Sequence, residues 1–141
     1  MMTLIDFGML VFTWVIQLIV YPSFKYYNKS NLDDWHPIYT QRVSLIVIPL
    51  MVGQLVFHLI GTFDTPSLYK VISLLLIVLA WVLTFVFAVP LHGQLSSSNN
   101  PDKTINQLIK VHWGRTVSWS LVFLIDCSSL LLNTNNGYNT I

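Results

Sequence analysis

The sequence predicts an all-α integral membrane protein, a four-helix bundle with its N- and C-termini on the outer side. Three observations predict it. The first is composition. Of 141 residues, 54% are hydrophobic and 9% are charged, with a mean hydropathy of +0.63, whereas soluble domains carry about 25% charged residues. There is no Glu; the acids are Asp6, Asp33, Asp34, Asp64, Asp102 and Asp126. The second is four long apolar runs, over residues 3–21, 39–62, 67–89 and 105–132. A bilayer core about 30 Å thick needs about 20 apolar residues in a helix. The third is charge asymmetry. Lys25, Lys29, Arg42, Lys103, Lys110 and Arg115 border the first and third connections, and Lys70 stands alone near the second. The positive-inside rule puts the cation-rich connections in the cytoplasm.

The elements follow in order. The first span ends before Pro22, because proline is poorly tolerated inside a helix. Its start lacks a basic segment and a cleavage pattern, so it reads as a retained anchor rather than a signal peptide. Residues 23–37 mix charged and aromatic side chains and read as a short amphipathic helix at the interface. The second span contains Pro49, which frees the carbonyl of Leu45 and is expected to kink the helix. A tight turn over 63–66 leads to the third span, which ends at Pro90. Ser96 to Asp102 reads as a polar loop with helix-capping residues. The fourth span follows, and residues 133–141 read as a frayed polar tail. The whole chain reads as one membrane domain. Cys127 is the only cysteine, so no internal disulfide forms. No basic patch points to nucleic acid; the expected partners are the lipid bilayer and a second copy of the chain in a homo-oligomer.

Helical periodicity gives each span one polar or small-residue stripe. The stripes are Thr3, Asp6, Thr13, Gln17 and Tyr21; then Ser44, Met51, Gln54 and His58; then Ser73, Ala80, Thr84 and Ala88; then His112, Arg115, Thr116, Trp119 and Asp126. Turned inward, four such stripes pack closely. At 1.5 Å per residue, Asp6, His58 and Asp126 all fall roughly 9–10 Å toward the outer side of the span centres. An ionisable residue inside a span costs about 2.5–3.5 kcal/mol and needs a partner or water. Three at one depth form an intramembrane polar cluster with Gln54. It reads as packing glue, a proton relay or a single-metal site.

A second group lies near the cytoplasmic boundary: His36, Tyr39 and Arg42, His92, and His112, Trp113 and Arg115. One reading is interfacial anchoring by arginines and belt tryptophans. The other is a site at the cytoplasmic ends of spans two to four. There His36, His92 and His112 serve as acid/base groups or as ligands of a transition metal or of haem. Arg42 and Arg115 hold an anion, and Tyr39, Trp113 and Trp119 wall a lipophilic ligand.

The ordered combination Tyr21-Pro22-x-Phe24, Trp35-His36-x-x-Tyr39, Arg42, Pro49-x-Met51, Val89-Pro90-Leu91-His92 and His112-Trp113-x-Arg115-Thr116-x-x-Trp119 resembles a family of small uncharacterised four-span bacterial membrane proteins. The resemblance covers roughly residues 10–120. Glu is frequent in that family at the position of Gln54, and Asn at that of His112, so neither position is a fixed metal ligand there. Size and span count are more remotely similar to anthrone-oxygenase-like proteins and to the small haem-containing protoporphyrinogen oxidases. The resemblance implies a bacterial cytoplasmic (inner) membrane location. The leading functional expectation is a membrane oxidoreductase, or a binder of a small lipophilic or anionic ligand. The rival expectations are an accessory subunit of a membrane complex and a small proton-coupled transporter.

Overall fold

A computed structural model describes residues 2–95 and 100–138, and among these there is no β-strand. Four long helices carry the chain: α1 (Met2–Tyr26), α2 (Lys29–Asp64), α3 (Leu68–Leu95) and α4 (Pro101–Tyr138). The first three are long and apolar enough to cross a membrane. Over its described residues α4 is not among them. It packs nonetheless. α1 lies against α2 and α4, and α3 lies against the same two helices, so the four helices enclose a common interior.

The packing is inverted relative to a water-soluble protein. Asp6, Thr13, Gln17, His36, Gln54, His58, Ser73, His112, Arg115, Thr116 and Asp126 are buried, while Leu18, Ile19, Leu45, Ile46, Leu75, Phe85 and Leu124 are exposed. A continuous exposed apolar surface of this kind is untenable in water and costs nothing in lipid, where tails are as apolar as leucine. Among the described residues, two apolar clusters fill parts of the interior. One holds Met9, Met51, Ala80 and Trp119. The other surrounds Tyr21, Phe24, Tyr39, Leu95 and Leu108.

Several expected boundaries move. Pro22 does not end the first helix. The chain widens into a π turn over Ile16–Val20 and continues through Tyr21–Ser23 and a final tight turn, Phe24–Tyr26. α3 does the same, with a π segment at Leu83–Ala88 ahead of Pro90. The cause is the proline ring. It removes an N–H and clashes with the carbonyl four residues earlier, here Leu18 and Val86, and both lie inside the widened turns. Pro37 and Pro49, in contrast, sit within the α-helical run of α2.

The expected separate interface helix over 23–37 is not formed. α2 begins at Lys29 and absorbs most of it, because Asn28 caps the helix by accepting from Asn31 N at 2.9 Å. At the other end of α2, Lys70 Nζ donates to the carbonyls of Gly61 and Thr65, each at 2.9 Å. That places a cation at the C-terminal carbonyls of the helix, where the macrodipole favours one. α4 starts with Pro101 and Asp102, which suit a helix N-terminus. Its helical run extends to Tyr138, and the remainder of the tail expected over 133–141 lies outside the described residues. Most of the polar loop expected at 96–102 lies outside the described residues.

Candidate functional site

Two polar clusters occupy the interior. The first is built from rings. The hydroxyl of Tyr21 on α1 shares a hydrogen bond of 2.9 Å with His92 Nε2 on α3. The other nitrogen of the same ring, Nδ1, is 2.8 Å from His36 Nε2 on α2. His36 and His92 stack at 5.0 Å between centroids and 24° between planes. Phe24 and Tyr39 close the edge of this group, 5.2 Å apart. A neutral imidazole has one donor and one acceptor nitrogen. The Tyr21–His92–His36 chain is therefore directional, each ring fixing the tautomer of the next.

His112 approaches from α4, its ring 4.9 Å from that of Tyr21. Its Nδ1 lies 2.9 Å from Gln17 Oε1 and 3.2 Å from Thr116 Oγ1. Thr116 in turn lies 3.1 Å from Thr13 Oγ1. One turn further on, the Arg115 guanidinium covers the Trp119 ring at 5.0 Å and lies within reach of the Tyr21 hydroxyl. Only 6% of Arg115 is exposed, and its Nε has no hydrogen-bond partner.

A cavity of about 220 Å³ adjoins this group. Phe12, Ile16, Val43, Val47, Ala88 and Val89 supply apolar walls, and Tyr21, Tyr39, His92, His112 and Arg115 supply a polar end. Both π segments contribute to the wall, through Ile16 and through Thr84 and Ala88. Small residues admit the close approach of helices here. A β-carbon on Gly114 of α4 would stand 2.8 Å from Leu83 Cδ1 at the start of the α3 π segment.

The second cluster joins α1, α2, α3 and α4. Asp6 Oδ1 accepts from Gln54 Nε2 at 2.8 Å and lies 3.1 Å from His58 Nε2. His58 Nε2 is 3.4 Å from Asp126 Oδ2. Asp126 Oδ1 accepts from Ser73 Oγ at 3.1 Å. The Trp119 indole N–H donates to Gln54 Oε1 at 2.9 Å, so Arg115, Trp119, Gln54 and Asp6 form a continuous line between the clusters.

The structure brings together His92, His112, Tyr39 and Arg115 around the cavity, with His36 bonded behind His92, and Asp6, Gln54, His58 and Asp126 in the second cluster. Two expected residues fall elsewhere. Arg42 is exposed on α2 and Trp113 is 41% exposed, its ring edge-on to Trp14 at 5.7 Å. Each lies about 100° from the neighbouring inward residue, Val43 or His112, so it is rotated out of the interior. Trp119 is buried in the core, where it links the clusters, and is not part of the cavity wall. The site is also not confined to α2, α3 and α4: α1 adds Tyr21, Gln17 and Thr13. Tyr21 was visible as the last member of the first polar stripe, one residue before a proline read as a stop.

Two of the expected ligand histidines are committed to each other. His36 Nε2 and His92 Nδ1 bond one another directly, leaving no room for a haem iron between them. Nor do His36, His92 and His112 converge as a ligand set. Among the described residues, the metal-ligating groups that come within 4.8 Å of one another are Asp6, His58 and Asp126.

Comparison of the chain with protein-family models, with curated proteins and with solved structures returns no match.

Proposed function

We propose that the chain is a four-span protein of a bacterial cytoplasmic membrane, with both termini outside. In this reading it binds a small lipophilic molecule carrying an anionic oxygen head. The apolar part lies against Phe12, Val43 and Val47. The head meets Arg115, with His92, His112 and the two tyrosines around it. In the enzymatic form of this reading, a membrane oxidoreductase served by an external electron carrier, His112 exchanges a proton with the head group.

One observation carries the reading. A buried guanidinium with an unpartnered Nε borders an apolar cavity of about 220 Å³. Burying an unpaired charge is costly, and a carboxylate or phosphate head offers the complementary two-pronged acceptor. An apolar cavity of about 150 Å³ accepts benzene, so the space here suits one ring or a short chain.

The test is thermal unfolding of the detergent-purified protein with octanoate, benzoate or octanol. The carboxylates are expected to raise the Tm and octanol to leave it unchanged. Hydrogen bonds to a charged group contribute about 1.5–3 kcal/mol, so Arg115→Met should weaken octanoate binding about ten- to hundredfold. Because an apolar isostere replaces a buried charge, Arg115→Met should fold at least as stably. Equal shifts with octanol, or an undiminished octanoate shift in Arg115→Met, would remove this reading.

A further inference from the structure

We propose that Asp6, His58 and Asp126 form a binding site for one divalent transition-metal ion, held between α1, α2 and α4. The site is separate from the ligand cavity and does not depend on it.

The argument begins with charge. Two carboxylates and an imidazole are buried together: Asp6 is 0%, His58 2% and Asp126 1% exposed. Two ionised carboxylates and a neutral imidazole carry a formal charge of −2, which a divalent cation cancels. In a low-dielectric interior that cancellation is worth far more than in water.

Hydrogen bonding points the same way. Gln54 and Ser73 each satisfy one carboxylate oxygen. The second oxygens, Asp6 Oδ2 and Asp126 Oδ2, are buried with no hydrogen-bond partner. Of these, Asp126 Oδ2 faces the His58 imidazole at 3.4 Å, and a buried carboxylate oxygen left without a donor is satisfied by a cation.

The spacing fits as well. Ligand atoms about 2.0–2.1 Å from a tetrahedral zinc stand about 3.3–3.4 Å apart. His58 Nε2 is 3.1 Å from Asp6 Oδ1 and 3.4 Å from Asp126 Oδ2, and one ligand atom from each of the three residues lies within 4.8 Å of the others. Gln54 and Ser73 already stand as the outer hydrogen-bonding shell that orients ligating carboxylates. Gln54 Oε1 is committed to Trp119, so the protein supplies three ligands and one position stays open. Imidazole with carboxylates suits zinc and manganese, whereas magnesium prefers an all-oxygen octahedral shell. Because the ligands come from three helices, the ion would also clamp them together.

The test uses the full chain in detergent, stripped with a chelator, equilibrated with zinc sulfate or manganese chloride, and desalted. Elemental analysis is expected to find about one metal ion per chain, with a raised Tm. Asp126→Asn preserves volume. It should remove the bound metal and the Tm increment while circular dichroism and gel filtration report a folded protein. Cobalt loading should give visible d–d absorption in the wild type and none in Asp126→Asn. Arg42→Ala, at an exposed position on α2, should keep its metal. No retained metal in folded wild-type protein would overturn the proposal. So would metal retained by Asp126→Asn, or displacement of zinc by excess magnesium.

Discussion

The indole N–H of Trp119 donates to Gln54 Oε1 at 2.9 Å, and this bond joins the two polar clusters. Both side chains are 1% exposed, so neither has water as an alternative partner. Trp119→Phe keeps an aromatic ring under Arg115 but leaves the Gln54 carbonyl unpaired. A buried acceptor without a donor costs about 1–3 kcal/mol. Unfolding of the variant in detergent is expected to show a loss of that size. An unchanged Tm would mean that the amide finds another donor and that the clusters are not linked through it.

His92 uses both of its nitrogens, on Tyr21 and on His36. His92→Leu therefore strands two polar groups in the interior, each costing about 1–3 kcal/mol. His36→Leu strands one nitrogen of His92. The pair His36→Leu, His92→Leu leaves only the Tyr21 hydroxyl to be satisfied. The double variant should thus be more stable than the sum of the single losses predicts. The expected coupling is about 0.5–3 kcal/mol, within the range for groups in direct contact. Additive losses would show that the imidazole pair contributes nothing as a pair.

Arg42 and Trp113 face outward, away from the cavity. Arg42→Ala should change stability by no more than about 0.5 kcal/mol. Trp113→Ala forfeits its edge contact with Trp14, about 0.5–1.5 kcal/mol. Both variants should show the same octanoate-induced Tm shift as the wild type. A lost shift in either would mean that the head group binds at the helix surface rather than in the cavity.

The contrast between these two residues and Arg115 shows what the sequence made legible. In a lipid-facing chain, each inward position can be read from polarity, because a polar side chain turned to lipid is expensive. Simple 100° periodicity therefore placed Asp6, Gln54, His58, His112, Arg115 and Asp126 in the interior, and equal depth brought three of them together. Depth alone misled for Arg42 and Trp113. Near a membrane boundary, a charged or amphipathic residue can face outward at little cost, so its polarity says nothing about its direction. The proline rule misled for Tyr21. Pro22 widens the helix instead of ending it, and a π turn leaves no distinct periodicity in a single sequence. The cavity itself was not legible, since it arises from how the walls of α1, α2 and α3 meet.

That cavity gives the last prediction. Ala88 is 2% exposed, sits in the α3 π segment and borders the open space of about 220 Å³. Ala88→Leu adds three carbons directed at a void rather than at packed neighbours. Filling a void commonly stabilises by about 0.5–2 kcal/mol, whereas overpacking a filled core costs about 1–3 kcal/mol. The variant is expected to hold or raise the Tm and to lose the octanoate-induced shift, because the added side chain occupies the place of the ligand's apolar part. Arg115→Met removes the partner of the head and Ala88→Leu the room for the tail, so loss of binding in both would locate the ligand by its two ends. A lowered Tm with the octanoate shift intact would show that the space beside Ala88 is closed in solution and that the carboxylate binds elsewhere.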